Sequence, residues 1–444
     1  MGDYRTATFI RKATSVGAIN IADRIVTAGL GIFLARLLEP AGYGAYSFVM
    51  SQVTLVALLA KLGLPELVLR DFAAGRGTGG GHVPTLLLRT AVILSSSSAL
   101  ILIAIGMLVL TTLYDGPNAD EFMLGLLMMA PLALFEIYAG ALRGLGYVVT
   151  FQIISTLGMT ALTLIACVAY SVLFHEFSAF DALAIRMLIV VAACIAAIAL
   201  VTRIARTQAA SFPHEERARP GSRDTLKTSL SFLVIGVLHV VFISIDQLML
   251  GYMIGESSVA IFKVAAEGAQ MVAFAYVAGN AVLAPEYSRI FSSGDLALLE
   301  RTARQSAAIV LAIALLPFFI LSVFAAPIVT FVFGMPYAAA AAPLSVLALG
   351  HFLALLFGDP LYILNMTGHH QTSMRLTVVA LTINVIFNAI AIPNFGVVGA
   401  ATATSFSFVL LRMMAYFYVR SHLGIECSAV SGLNQIVRMG IKRG

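Results

Sequence analysis

The sequence predicts an all-α polytopic membrane protein: about twelve transmembrane helices in two six-helix lobes, related as a parallel repeat around a central cavity. Three observations predict it. Hydrophobic residues make up 60% of the 444 residues and charged residues only 11%, where an ordinary soluble domain carries about 25% charged. The mean hydropathy is +0.96. The second half also reads as a worn copy of the first. Asp23 and Asp246, both inside apolar spans, stand 223 residues apart, and Gly146 and Gly368, in the turns ALRGLGYVVT and ILNMTGHHQT, stand 222 apart.

A helix needs about 20 apolar residues to cross the hydrocarbon core, and an open sheet edge cannot be satisfied in lipid. On that basis helical spans are expected at 14–38, 43–63, 84–110, 121–142, 148–174, 181–203, 228–253, 257–283, 303–326, 338–364, 372–392 and 396–419. The basic N-terminus ahead of the first apolar stretch has the look of a signal peptide. The stretch is too long and has no small-residue cleavage site, so it is expected to be an uncleaved first span. Lys and Arg fall in alternate connections, from Arg5, Arg11 and Lys12 to Arg420, Arg438, Lys442 and Arg443. The intervening loops are acidic or neutral, as at Asp115, Asp120, Glu121 and Glu256. The positive-inside rule then puts both termini in the cytoplasm, and a bacterial inner membrane is the expected location. Six spans per half return the chain to its starting side, which makes the repeat parallel. The expected domains are a first lobe over 1–204, a cytoplasmic linker over 205–226, a second lobe over 227–420 and a short basic tail over 421–444. The tail either lies on the inner surface or frays.

Charge placement excludes other classes. The pI of about 9.1 comes from residues at span ends rather than from one patch, so no nucleic acid partner is expected. Three cysteines give neither a disulfide framework nor a metal spacing. GRGTGGG (Gly75–Gly81) lacks the Lys-Ser/Thr of a phosphate-binding loop. No large extramembrane segment offers room for an active site, so no catalytic residue and no resident cofactor or metal is expected. Gly140–Gly144 and Gly251–Gly255 fit G-x-x-x-G and point to close internal packing.

Charged side chains at mid-bilayer cost roughly 2.5–3.5 kcal/mol each and usually face a cavity or a partner. Span one carries Asn20, Asp23, Arg24 and Thr27 on a helical stripe, span two Lys61, span four Glu136 and Arg143, and span eight Lys263 and Glu267. Span ten has His351, Asp359 and Tyr362; Arg186 and Arg412 lie in spans six and twelve. Arg24, Lys61, Lys263 and Arg412, with Asp23 and Glu267, are the candidate substrate-binding residues, the cations attracting phosphate. Local alternatives stand beside this: Lys263 with Glu267 and Glu136 with Arg143 can pair on their own helices. Arg186 can snorkel to the surface, and His351 suits a satisfied core position. Span eleven adds Asn384 and Asn388 at i, i+4, on one face, and span twelve adds Thr402 and Thr404. With Asp246 these supply a carboxylate, two amide oxygens and a hydroxyl, hard ligands suited to Na⁺ or a proton-linked carboxylate. The alternative is that the asparagines join neighbouring helices.

ARLLEPAGYGAYS (Ala35–Ser47), LGLPELVLRDFAAG (Leu62–Gly75), IDQLMLGYMIGESSVAIF (Ile245–Phe262), LAPEYSRIFSSGD (Leu283–Asp295), GMPYAAAAAPLSVLALG (Gly334–Gly350) and NFGVVGAATATS (Asn394–Ser405) resemble, in order and spacing, the polysaccharide and oligosaccharide-lipid flippases of the multidrug/oligosaccharidyl-lipid/polysaccharide exporter superfamily. The resemblance covers nearly the full chain. It implies two lobes in a V with alternating access, and a polyprenyl-pyrophosphate-linked oligosaccharide carried from the inner to the outer leaflet. It also implies a coupling-ion site at Asp246, Asn384, Asn388 and Thr404, where this chain offers Asn388 in place of a second carboxylate. A polysaccharide polymerase and glycosyltransferases are the implied protein partners, beside membrane lipids. The chain lacks the two further helices of lipid II flippases, which disfavours peptidoglycan precursor. The rival readings are a multidrug/cation antiporter on the same architecture, a membrane-bound saccharide polymerase or ligase, and a non-transporting scaffold.

Overall fold

The computed structural model describes residues 2–77, 85–113, 118–209 and 222–433. Among them the chain is helical throughout, without a strand. The helices are α1 (Gly2–Lys61), α2 (Leu64–Gly77), α3 (Thr85–Leu113), α4 (Ala119–Gly144), α5 (Val148–Gln152), α6 (Met159–Phe174), α7 (Ala179–Ala209), α8 (Ser222–Met253), α9 (Glu256–Ser292), α10 (Leu296–Val323), α11 (Ala325–Phe333), α12 (Ala341–Leu355), α13 (Pro360–Met366) and α14 (His370–Tyr418). Seven described helices are long and apolar enough to cross a membrane, or nine if each of two bent pairs is one span. The protein is an all-α polytopic membrane protein.

Two helices are far longer than a bilayer is thick. At 1.5 Å per residue, the 60 residues of α1 and the 49 of α14 would run about 90 and 74 Å. Each is broken in, or at the edge of, a loop expected between spans. In α1 the break is Glu39 (φ 55°), just before Pro40, whose ring disfavours a helical residue ahead of it. In α14 it is Gly396 (φ 59°), three residues after Pro393. Three expectations need correction. Helix α2 occupies a stretch read as loop. The uncharged 327–337 stretch folds into α11 and a 3₁₀ turn, Met335–Ala340. The span expected over 338–364 is interrupted between α12 and α13. The 210–221 part of the expected linker, residues 78–81 of the glycine-rich run, Asp115 of the acidic loop and the tail beyond 433 lie outside the described residues.

The chain divides into two compact units, Met1–Ser244 and Ile245–Gly444. In the first, α4 packs on α1, α2, α3 and α7. Glycines make that approach possible: a Cβ on Gly140 would lie 2.4 Å from the Pro65 carbonyl oxygen, and one on Gly144 2.6 Å from Phe72 Cβ. This is the close packing expected of Gly140–Gly144. Gly255 does something else. It ends a helix at φ 121° with nothing within 4 Å of an added Cβ, so Gly251–Gly255 is not a packing face. Gly140→Val should therefore destabilise the first unit by about 1–3 kcal/mol through overpacking against backbone, read as a lower melting temperature in detergent. In the second unit α12 packs on α9, α10 and α14. Leu100, Ile101 and Leu108 on α3, and Leu316 and Phe319 on α10, are exposed, the pattern of helices that face lipid.

The two turns that suggested a repeat share one geometry. Gly146 has φ 87° and Gly368 φ 84°. Tyr147 N–H donates to Leu142 O (3.0 Å) and His369 N–H to Leu364 O (2.8 Å), each closing a helix by the same six-residue bond.

Candidate functional site

The strongest polar constellation lies inside the second unit, in spans expected to be seven, eleven and twelve. Asp246 is on α8, and Asn384, Asn388 and Thr404 are on α14; all four are buried. The i, i+4 spacing of the asparagines, with the chain reversal at Gly396, lets α14 surround one carboxylate. Asn388 Nδ2 donates to Asp246 Oδ1 at 2.6 Å, and Asn384 Nδ2 reaches the same oxygen at 3.4 Å. Asn388 Nδ2 also donates to Asn384 Oδ1 at 3.0 Å. The Thr404 hydroxyl lies beside the Asp246 carboxylate and donates its proton to Ala400 O at 2.9 Å. Asn388 Oδ1 is buried and has no hydrogen-bond partner. A buried amide oxygen without a donor is costly, and beside a carboxylate it is the kind of group a cation satisfies. A half-turn of the two amides would present both Oδ1 atoms toward Asp246. The donor set, all hard oxygen, fits a small monovalent cation or a proton on the carboxyl.

The candidate cations are each held by an acceptor or placed at the surface. In the first unit, Lys61 Nζ lies 3.6 Å from Glu136 Oε1. Glu136 thus pairs across helices and not with Arg143, which bonds Glu66 at 3.2 Å and sits 5.0 Å over the Phe151 ring. Arg24 is exposed and Asp23 is half-buried, its Oδ1 without a hydrogen-bond partner. Arg186 does not snorkel; it donates to Thr163 Oγ1 (3.0 Å) and Met159 O (3.3 Å), beside the π-helical turn Ile153–Gly158. In the second unit, Lys263 and Glu267 lie 3.5 Å apart on one helix. His351 packs against Phe408, as a core histidine does.

Arg412 belongs to a second polar centre that sequence reasoning did not assemble. Its Nη1 donates to Gly358 O at 2.5 Å and lies 3.9 Å from Asp359 Oδ1, and its guanidinium stands 4.0 Å over the Tyr276 ring. Tyr276 O–H donates to the same Asp359 oxygen at 2.8 Å, while Asp359 Oδ2 is buried without a partner. The available signal was Gly358-Asp359-Pro360, a turn sequence inside an apolar span.

The model of the family described as "Polysaccharide biosynthesis protein" matches residues 9–291. Two curated relatives align over 184 residues. The "Uncharacterized membrane protein MJ1068" of Methanocaldococcus jannaschii is 26% identical over 40% of this chain and 36% of its own length. The "Probable low-salt glycan biosynthesis flippase Agl15" of Haloferax volcanii is 27% identical over 41% and 38%. The matched stretch therefore spans little more than a third of either relative. Solved structures share the fold over nearly the whole chain. An inward-facing multidrug resistance MATE family transporter of the MOP superfamily superposes with a TM-score of 0.73 at 15% identity, covering 93% of this chain and 98% of that one. The lipid II flippase MurJ in an inward closed conformation gives 0.63 at 11% identity, covering 91% and 87%.

Proposed function

Because this chain belongs to the polysaccharide biosynthesis protein family, we propose that it is a flippase: it moves a polyprenyl-pyrophosphate-linked oligosaccharide from the inner to the outer leaflet by alternating access, coupled to an ion gradient. It is a transporter and not an enzyme. We place it in the cytoplasmic membrane with both termini inside. A glycosyltransferase supplies the cargo and a polymerase consumes it.

The observation that carries the coupling part is the buried carboxylate of Asp246, wrapped by Asn384, Asn388 and Thr404 with one amide oxygen left over. A bound Na⁺ or proton would supply a positive charge there, and its inward gradient the drive. The protein's part is to hold the carboxylate out of water, so that occupancy of the site and the bonding of Asp246 to α14 are tied together. On the cargo side, an unaided pyrophosphate head faces a Born cost of tens of kcal/mol in hydrocarbon, and cations lower it. Lys61 and Lys263 suit that task because their pairs are loose. At 3.5–3.6 Å from one carboxylate each, longer than a charge-assisted hydrogen bond, such pairs can exchange a carboxylate for a phosphate. Arg24 is the third phosphate contact. Each negative charge leaving an inside-negative cell gains about 2.3 kcal/mol per 100 mV.

The test is charge reversal. Lys61→Glu and Lys263→Glu should each lower the lipid-linked oligosaccharide reaching the outer face by about tenfold or more, as expected when a charged contact worth at least 1.4 kcal/mol is lost. Full activity in both variants, with normal protein levels, would remove the phosphate role. Drug resistance conferred by the unmodified protein, with no effect on surface glycan, would favour the antiporter.

A further inference from the structure

Span ten is cut, and three consecutive carbonyls at the cut need donors. Helix α12 ends in a tight turn, with Gly358 N–H on Leu355 O (3.0 Å) and Gly358 at φ 71°. The residue four beyond Leu356 is Pro360, which has no N–H to give. Backbone acceptors at membrane depth must be satisfied from within the protein, and here they are satisfied from far along the chain. Leu356 O accepts from Ala429 N–H at 3.0 Å, Phe357 O from the Cys427 thiol at 3.7 Å, and Gly358 O from Arg412 at 2.5 Å. The tail, expected either to lie on the inner surface or to fray, is therefore seated as far as residue 433. Ile425, Cys427 and Ala429 are fully buried, and Cys427 O presses on Gly358 so closely that a Cβ there would lie 1.9 Å away.

Glu426 anchors this segment. It accepts from Tyr416 O–H (2.7 Å) and Ser428 N–H (3.0 Å), and Arg420 lies 3.4 Å off. Its backbone oxygen takes Arg304 Nε at 3.3 Å. Burial alone would raise its pKa; the donors Ser428 and Tyr416 and the charge of Arg420 outweigh burial and hold the carboxyl below its usual range.

We propose that residues 425–432 are a strap that positions the Asp359–Arg412 centre: by supplying the donors for Leu356 and Phe357, it fixes the break in the one shape in which Arg412 spans Gly358 O and Asp359. The strap then acts through Arg412, and this separates it from a tail that merely adds stability. The inference goes beyond the flippase reading, and its readouts need no cargo.

The experiment uses the full chain with Cys167→Ala and Cys194→Ala, so that thiol alkylation reports Cys427 alone. Glu426→Ala should speed alkylation of Cys427 about ten- to a hundredfold, from the loss of charged hydrogen bonds, and lower the melting temperature. Glu426→Gln, which keeps one of the two accepting oxygens, should restore both in part. In an Arg412→Gln background, or in Arg412→Lys should that variant express poorly, the further drop in melting temperature caused by Glu426→Ala should shrink by half or more, because residues acting as one network do not add. Strictly additive drops would overturn the proposal. So would Cys427 staying as protected in Glu426→Ala as in the parent.

Discussion

Asp246→Asn should eliminate ion binding to the second unit while leaving the fold standing. The side chains are nearly isosteric, and an amide at 246 can still bond Asn388 and Asn384. What is lost is the charge. Removing one partner of a buried, hydrogen-bonded charge pair costs about 2–5 kcal/mol, equivalent to roughly 30- to several thousand-fold in affinity. The measurement is the rise in melting temperature of the purified protein as Na⁺ is titrated, or as pH is lowered for a proton-coupled site. Ligand binding to the native state alone gives RT ln(1 + [L]/Kd) of stability. The parent should show a saturable rise and Asp246→Asn none. A full rise in the variant would mean that Asp246, with its 2.6 Å amide partner, is packing only.

Arg412→Ala should produce the largest loss of stability among single substitutions in the second unit. Arg412 is 13% exposed and its partner Asp359 9%. Deleting the guanidinium leaves a buried carboxylate without a counter-charge, about 3–5 kcal/mol, and strips Gly358 O of its donor and Tyr276 of its cation. The sign of the charge is testable separately. Asp359→Asn in the Arg412→Ala background should recover a large part of the loss, since the stranded charge is then gone. Thermal or denaturant unfolding of the four proteins of that cycle measures it. A cycle without coupling, or a single-variant loss under about 0.5 kcal/mol as at an ordinary surface site, would show that the pair carries no weight. This role differs from the phosphate contact expected of Arg412 from sequence: the guanidinium already serves three internal groups.

What could be read from sequence follows from how local each signal is. The apolar runs and the turn glycines Gly146 and Gly368 are local, and the structure has helices and left-handed glycines there. Asn384 and Asn388 share a face by spacing alone, and the grouping with Asp246 needed only the expectation that lone intramembrane carboxylates find partners. The Asp359–Arg412 pair is 53 residues apart in sequence with no spacing rule to join it. The break at Gly358–Pro360 was hidden by strongly apolar flanks that satisfy a hydropathy window across the gap. The strap was illegible for a further reason: its bonds to the break are made by one backbone N–H and one thiol, and composition does not record which carbonyl lacks a donor. Lys263 with Glu267 was legible as a local pair, whereas Lys61 with Glu136 required two helices to be brought side by side.

The matching turns at Gly146 and Gly368 set a common frame on two unlike halves. Both turns put the same punctuation at the end of a helix, so the likeness lies in the scaffolding. The furnishing differs. The later copy surrounds its aspartate with amides from α14, while in the earlier copy Asp23 keeps one oxygen bare of any such neighbour. On the coupling proposed above, the drive would enter through the second half alone.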